Sequence, residues 1–471
     1  MSRLNHIHFV GICGVALSAE AIAFKNRGYK VTGSDKGFFP PVSTALEKAA
    51  VPFYAGWHPE KMVEHGRPDL VIAISYANEH NPEIAYARKH GIRVISDAEA
   101  RGEFFAKENS IVPVGTWGKT TTSALLAHIL KSSGLKPSYM SGGLLQSGEP
   151  AAELSDGNWS VLEGDEYKTS ISDTRPKFVH CKPSHLLLSG ISWDHADLYP
   201  TEDSYFAVFE ELVGSIPETG LIVACVDHPG VRRVLGLAKA KVITYGKRTS
   251  ADYRYVKVGE SKSGLRFGIL RGKEAFAVDS QLLGNFQAEN ITGCFALAKE
   301  IGIPVKDILS GISSFQGIKR RLEKRFESDR ITIIDDIAHS PEKAKSALRD
   351  LHSIYKRAKI IAIFEPNIGS RTGEAAVKYT DAFSSADTVI IPRLTKLKSD
   401  PSGNLKPLDG PDLAKLISRS HSGVRYIEND DELVTELANI SSLSLKHTVI
   451  AFLGSHGFRG MIEATCLRLQ S

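Results

Sequence analysis

The sequence predicts an α/β protein of several domains, each a mostly parallel sheet flanked by helices. Three observations carry that expectation. The strand-like run Ile7–Val10 passes through the tight turn Gly11-Ile12-Cys13-Gly14 into a helical segment. Ile111–Val114 does the same through Gly115-Thr116-Trp117-Gly118, followed by the helical stripe Leu125, Leu126, Ile129 and Leu130. A third apolar run, Ile331–Ile334, ends in Asp335-Asp336, where ligands bind outside the carboxyl ends of strands in open α/β sheets. At 471 residues the chain has room for two to four domains.

Composition narrows the function. Hydrophobic residues make up 42% and charged residues 24%, the balance of a soluble globular protein with packed cores. A net charge of +4 is too mild to imply nucleic acid and suits an enzyme of anionic small molecules. The five cysteines contain no C-x-x-C pair, which argues against a zinc site or disulfide framework and favours a reducing cytoplasm. The N-terminus leads directly into a strand, so no signal peptide is expected, and no apolar run is long enough to span a bilayer.

Residues 5–35 read as a β-α-β unit of Rossmann type. Its turn is half of a G-x-G-x-x-G fingerprint, with Cys13 and Ala16 in two glycine positions. Asp35, after Gly33-Ser34, stands where a ribose-binding acid would sit; the alternative is a close-packed turn that binds nothing. Strands follow at Leu70–Ile74, just before Ser75, and at Val94–Ile95. The next unit opens with a phosphate-binding loop. Gly115 and Gly118 let backbone N–H groups approach phosphate oxygens, Lys119 brings positive charge, and the Thr120 hydroxyl suits Mg²⁺. Pro113 stands where the first glycine of G-x-x-x-x-G-K-[ST] belongs.

Further strands are expected at Trp159–Leu162, His185–Leu188, Leu221–Cys225, Tyr253–Val258, Arg266–Ile269 and Ala275–Val278, then a helix over Gln287–Ile301. Glu163, Asp165 and Glu166 form an acidic cluster able to hold Mg²⁺, or else a solvated loop. Trp193-Asp194-His195-Ala196-Asp197 is a second polar cluster after an apolar strand, a metal ligand or a structural histidine. Gln316–Arg325 reads as a basic connector. The last unit alternates strands at Ile331–Ile334, Lys359–Phe364, Thr388–Ile391 and Thr448–Phe452 with helices.

Five ordered motifs resemble the Mur ligase family: Gly115–Thr122, Glu163–Tyr167, Asp194–Asp197, Arg320–Glu323 and Asp335–His339. The resemblance covers essentially the whole chain. It implies a UDP-substrate-binding Rossmann-like domain (1–108), a central P-loop ATPase-like domain (109–326) and a C-terminal Rossmann-like domain (327–471). It also implies that a carboxylate is joined to an amine through an acyl phosphate, with ATP and Mg²⁺ as cofactors. By the same resemblance Lys119, Glu163 and His195 are catalytic, and Thr120, Glu163 and His195 hold metal. Gly115, Thr116, Gly118, Lys119, Thr120, Thr121, Asn290, Arg321 and Asp336 would bind the nucleotide, and Gly14, Ser34, Asp35, Ser75, His339 and Arg371 the substrates. Gly11–Gly14, Phe39–Ser43 and Lys177–Pro183 look like the murein peptide ligase branch. That branch attaches the tripeptide L-Ala-γ-D-Glu-meso-diaminopimelate to UDP-N-acetylmuramate, and its nearest relative adds only L-alanine. A monomer or weak homodimer is expected. Trp117, Phe286-Gln287, Ser340 and Asn367–Arg371 depart from the family pattern, and Phe209 replaces a modified lysine.

Two rival classes leave different traces. An NAD-dependent dehydrogenase would use Gly11–Gly14 and Asp35 but has no place for the Lys119 loop. A non-catalytic nucleotide-binding homologue would keep the fold and release no phosphate.

Overall fold

The computed structural model describes residues 4–38, 40–195, 198–371, 377–395, 407–443 and 446–470. Its strands form three sheets. The first holds β1 (His6–Val10), β2 (Lys30–Asp35), β3 (Phe53–Ala55), β4 (Leu70–Ala73) and β5 (Arg93–Ser96), in the order β3-β2-β1-β4-β5. Its strand pairs are all parallel. The strand order reverses at β1, so the Gly11 turn lies at the switch point of a Rossmann-type sheet. β1 is buried at every residue, as a parallel sheet covered on both faces requires, and its two histidines, His6 and His8, lie within bonding distance of the Thr32 hydroxyl on β2.

The second sheet has ten strands. They are β6 (Asn109–Val114), β7 (Ser138–Met140), β8 (Ala152–Glu153), β9 (Trp159–Leu162), β10 (His185–Leu188), β11 (Leu221–Cys225), β12 (Lys241–Gly246), β13 (Tyr253–Ser261), β14 (Gly264–Arg271) and β15 (Glu274–Ser280). Their order is β15-β14-β13-β12-β11-β10-β6-β9-β7-β8. β6 is central, parallel to β10 on one side and to β9 on the other. Glu163 and His195 therefore follow strands that flank β6.

The third sheet runs β16-β17-β21-β18-β19-β20, from β16 (Glu323–Glu327), β17 (Ile331–Asp336), β18 (Lys359–Glu365), β19 (Thr388–Pro392), β20 (Val424–Ile427) and β21 (Thr448–Gly454). β16 takes up the last three residues of the basic connector expected at Gln316–Arg325. It is an antiparallel edge strand on β17, with a register shift between Lys324 and Phe326. Lys324 and Arg325 are edge charges of the kind that discourage further strand pairing.

The chain forms two compact units. One runs to Ile318, apart from Gly259–Leu265 and Leu282–Asn285, and contains the first sheet and most of the second; the other contains those two segments and Lys319–Ser471. Among the described residues no helix is long and apolar enough to cross a membrane. Within the first unit a file of buried and half-buried charges joins the first two sheets. Arg101 Nε lies 2.6 Å from Glu20 Oε1, and Arg101 Nη2 lies 2.9 Å from Asp97 Oδ2. Lys177 Nζ reaches Asp97 Oδ2 at 3.1 Å and Asp165 Oδ2 at 3.6 Å. Burial pushes the Glu20 carboxyl up to about 7, against the pull of Arg101.

Candidate active site

β6 ends at Val114, and the chain turns through Gly115 (φ +138°) and Gly118 (φ +85°) into the helix Lys119–Ser132. Both glycines are required by space as well as by dihedral angle. A Cβ at Gly115 would sit 2.4 Å from Ser189 Oγ, and one at Gly118 would sit 2.6 Å from Asn290 Oδ1. The loop is thus a cradle without side chains at the start of a helix, the arrangement that receives phosphate groups.

Lys119 reaches back across this loop. Its ammonium donates to the Gly115 carbonyl at 2.6 Å and to Glu166 Oε2 and Oε1 at 2.8 and 3.0 Å. Thr120 Oγ1 donates to Glu163 Oε1 at 2.9 Å, and the Gly142 N–H donates to Glu163 Oε2 at 2.6 Å. Burial raises the Glu163 carboxyl above its ordinary value, while the Gly142 N–H and Lys119 oppose the rise. His195 Nε2 lies 3.3 Å from Glu166 Oε1, and that bond raises the imidazole. His195 sits at φ +55°, a strained backbone for a non-glycine residue and one that functional sites often store. Tyr167 packs edge-on against its ring at 5.2 Å.

Lys119, Thr120, Glu163, Glu166 and His195 are therefore brought together. Thr120 and Glu163 offer hard oxygen donors, the chemistry Mg²⁺ prefers, and the glycine cradle suits the phosphates of ATP. Glu166 is the participant that site assignment from motifs missed. Its one signal was membership of the acidic cluster. Asn290 is buried and held by a bond from its Nδ2 to Gln287 Oε1 at 3.0 Å, beside Gly118. Thr116 Oγ1 ties the loop to Ser192, accepting its N–H at 2.9 Å and donating to its carbonyl at 2.8 Å. Thr121 is buried in the helix. Trp117 is 46% exposed, its indole laid against Gly190, where a Cβ would meet it at 2.4 Å. Phe209 is a core residue packed on Tyr205 and Phe178.

In the N-terminal domain Gly14 starts the helix Val15–Asn26, and Asp35 Oδ2 accepts the Cys13 N–H at 2.8 Å. The Ser34 hydroxyl is committed to buried Glu83, and that of Ser75 to Asp97 at 3.2 Å. In the second compact unit the Asp336 carboxylate accepts the N–H groups of Leu322 and Ala338 at 2.8 and 2.9 Å. Arg321, which precedes Leu322 in the chain, is exposed. His339 Nδ1 lies 2.7 Å from the Ile337 carbonyl, and burial beside Lys343 lowers its imidazole. Arg371 is buried, donating to the carbonyls of Thr395 and Pro366 at 3.0 and 3.3 Å. Ser340 caps the helix Pro341–Ile354, a role its hydroxyl fills well. Ala196 and Asp197, and Lys396 and Lys398, which the sequence offers with Arg371 as charges for a basic amine-substrate pocket or as solvated surface residues, lie outside the described residues.

Comparison with known proteins agrees with this geometry. The family model described as the Mur ligase family catalytic domain matches residues 6–109, the Mur ligase middle domain 114–298, and the Mur ligase glutamate ligase domain 320–456. The UDP-N-acetylmuramate–L-alanine ligase of Anaeromyxobacter dehalogenans is 31% identical over 83% of each chain. The solved UDP-N-acetylmuramate-alanine ligase of Thermotoga maritima superposes with a TM-score of 0.79, at 24% identity and 99% coverage of both chains. The UDP-N-acetylmuramate:L-alanyl-γ-D-glutamyl-meso-diaminopimelate ligase of Neisseria meningitides has a TM-score of 0.61 and 26% identity, covering 68% of this chain and all of that one. On this evidence the chain belongs to the Mur ligase family, whose members are ATP-dependent, ADP-forming amide ligases that use Mg²⁺.

Proposed function

We propose that the protein joins the carboxylate of UDP-N-acetylmuramate to the amine of L-alanine in peptidoglycan synthesis, in the cytoplasm. The observation that carries this reading is the meeting of Lys119, Thr120, Glu163, Glu166 and His195 at one loop, in a chain 31% identical to a ligase of that name. Lys119 would exchange Glu166 for phosphate oxygens, placing its charge where negative charge develops. Thr120 and Glu163 would hold Mg²⁺, which when bound neutralises the transferring phosphoryl group. His195, oriented by Glu166, would hold a second cation near the muramate carboxylate. Gly14 and Asp35, at the switch point of the first sheet, would take the uridine diphosphate. Asn290, Arg321, Asp336 and His339 remain nucleotide and substrate candidates, and the domain limits near residues 108 and 326 are part of the same reading.

A second reading keeps everything except the amine. Phe39–Ser43 and Lys177–Pro183 resemble the murein peptide ligase branch, and the Neisseria relative carries that tripeptide in its name. The names of the curated relatives support L-alanine over the tripeptide. The test is phosphate release with ATP, UDP-N-acetylmuramate and each amine at limiting concentration, since specificity is a ratio of kcat/KM values. A higher kcat/KM for L-alanine supports the first reading and one for the tripeptide the second. No release with either, from folded protein, overturns both.

A further inference from the structure

Outside the Lys119 centre, one group of three metal-ligating side chains stands out among the described residues. Cys225, His228 and Glu289 place a sulfur, an imidazole nitrogen and a carboxylate oxygen within 4.8 Å of one another. Cys225 closes β11, and His228 follows it at C-x-x-H spacing. Glu289 comes from the first turn of the helix Gln287–Glu300. His228 Nε2 already lies 2.9 Å from Glu289 Oε1.

We propose that Cys225, His228 and Glu289 form a binding site for a single thiophilic divalent cation of the zinc class, distinct from the Mg²⁺ centre. The donor set argues for the cation. Sulfur and imidazole select zinc-like ions, whereas Mg²⁺ takes oxygen ligands. The charges also match. A thiolate, a carboxylate and a neutral imidazole cancel a divalent cation, so the buried site becomes neutral when filled. Donor atoms around tetrahedral zinc stand roughly 3–4 Å apart, so closure needs side-chain shifts of about 1 Å.

Access fits the same picture. Cys225 is fully buried, but the His228 and Glu289 side chains keep 25% and 15% of their surface, which leaves a side open for entry and a water ligand. Asp227, the nearest other carboxylate in sequence, is engaged with the N–H groups of Lys247 and Arg248 at 2.7 and 3.1 Å. On binding, the thiol proton leaves to solvent and the sulfur lone pair forms the metal bond.

The site adjoins the nucleotide loop. The His228 ring lies 5.5 Å from that of Trp117, and Glu289 precedes Asn290, which abuts Gly118. Spacing alone hid it, because two of its ligands come from β11 and the turn after it and the third from a helix more than sixty residues on.

The test is a titration of metal-free, full-length protein with Co²⁺. One equivalent is expected to produce thiolate-to-cobalt charge-transfer absorption and the strong visible bands of a four-coordinate site. Zn²⁺ should displace it stoichiometrically, and a large excess of Mg²⁺ should not. Cys225→Ser should abolish the charge-transfer band, Glu289→Gln should weaken binding at least about tenfold, and Cys294→Ser should change neither. Circular dichroism checks each fold, and His228→Asn, at a partly exposed ring, serves if Cys225→Ser does not fold. Absence of the band in the wild type, its persistence in a folded Cys225→Ser or His228→Asn variant, or its loss to Mg²⁺ would overturn the proposal.

Discussion

The Lys119 ammonium ends among acceptors, the Gly115 carbonyl and both oxygens of Glu166. Lys119→Ala should therefore cut phosphate release by ~10²-fold or more while the protein stays folded. Near-normal turnover would remove Lys119 from the site. Glu163→Gln should raise the Mg²⁺ concentration needed for half-maximal rate more than His195→Ala does, because it deletes a charge; an equal Mg²⁺ dependence in all three proteins would make both residues structural. Away from the site, burial, Lys30 and His8 hold His6 at about 4, below its ordinary 6.5. Between those values the unfolded chain binds a proton that the folded chain does not. His6 thus contributes stability that is present above pH 6.5 and lost as pH falls through 4, on the order of 3 kcal/mol in all. Melts of His6→Asn across that window should lose less stability on acidification than the wild type, and equal slopes would refute it. Glu20, raised by burial, works the other way as pH climbs towards 7, equally in both proteins. Lys119 and Thr120 were legible because their spacing after a strand announces a phosphate loop, and Glu163 and His195 through the family resemblance. Glu166 was not, since its place depends on Lys119, forty-seven residues earlier.

At the scale of the element, the loop from β6 into its helix depends on two backbone conformations. Gly118→Ala combines left-handed strain with a Cβ against Asn290, about 1–2 kcal/mol of local cost. The KM for ATP should rise roughly tenfold if that strain falls on nucleotide binding, a 1.4 kcal/mol effect. An unchanged KM would show that the loop does not hold the nucleotide. The strands around this loop were readable because β6, β9 and β10 are short apolar runs bounded by polar turns. β16 was hidden for a physical reason: an edge strand carries charge to stay unpaired, and charge is also the mark of a connector. β12, between Lys241 and Lys247, shows only partial burial along its length and gives a weak pattern.

In the molecule as a whole, the three sheets were legible from the recurring strand-glycine-helix pattern, but the ionic file from Glu20 to Asp165 was not. No local rule links Arg101 to Lys177 or to a glutamate eighty-one residues earlier. Arg101→Met leaves two buried carboxylates, Glu20 and Asp97, without their shared cation and should cost about 3–5 kcal/mol in urea unfolding. Lys177→Met should cost less, because Asp97 keeps Arg101; the reverse order would contradict this account. The file also sets a rule for recombination. An N-terminal domain transplanted from another member of the family would meet Lys177 with whatever that donor carries in place of Asp97. A mismatch strands a charge at the seam, so these two domains are interchangeable among relatives only as a matched pair.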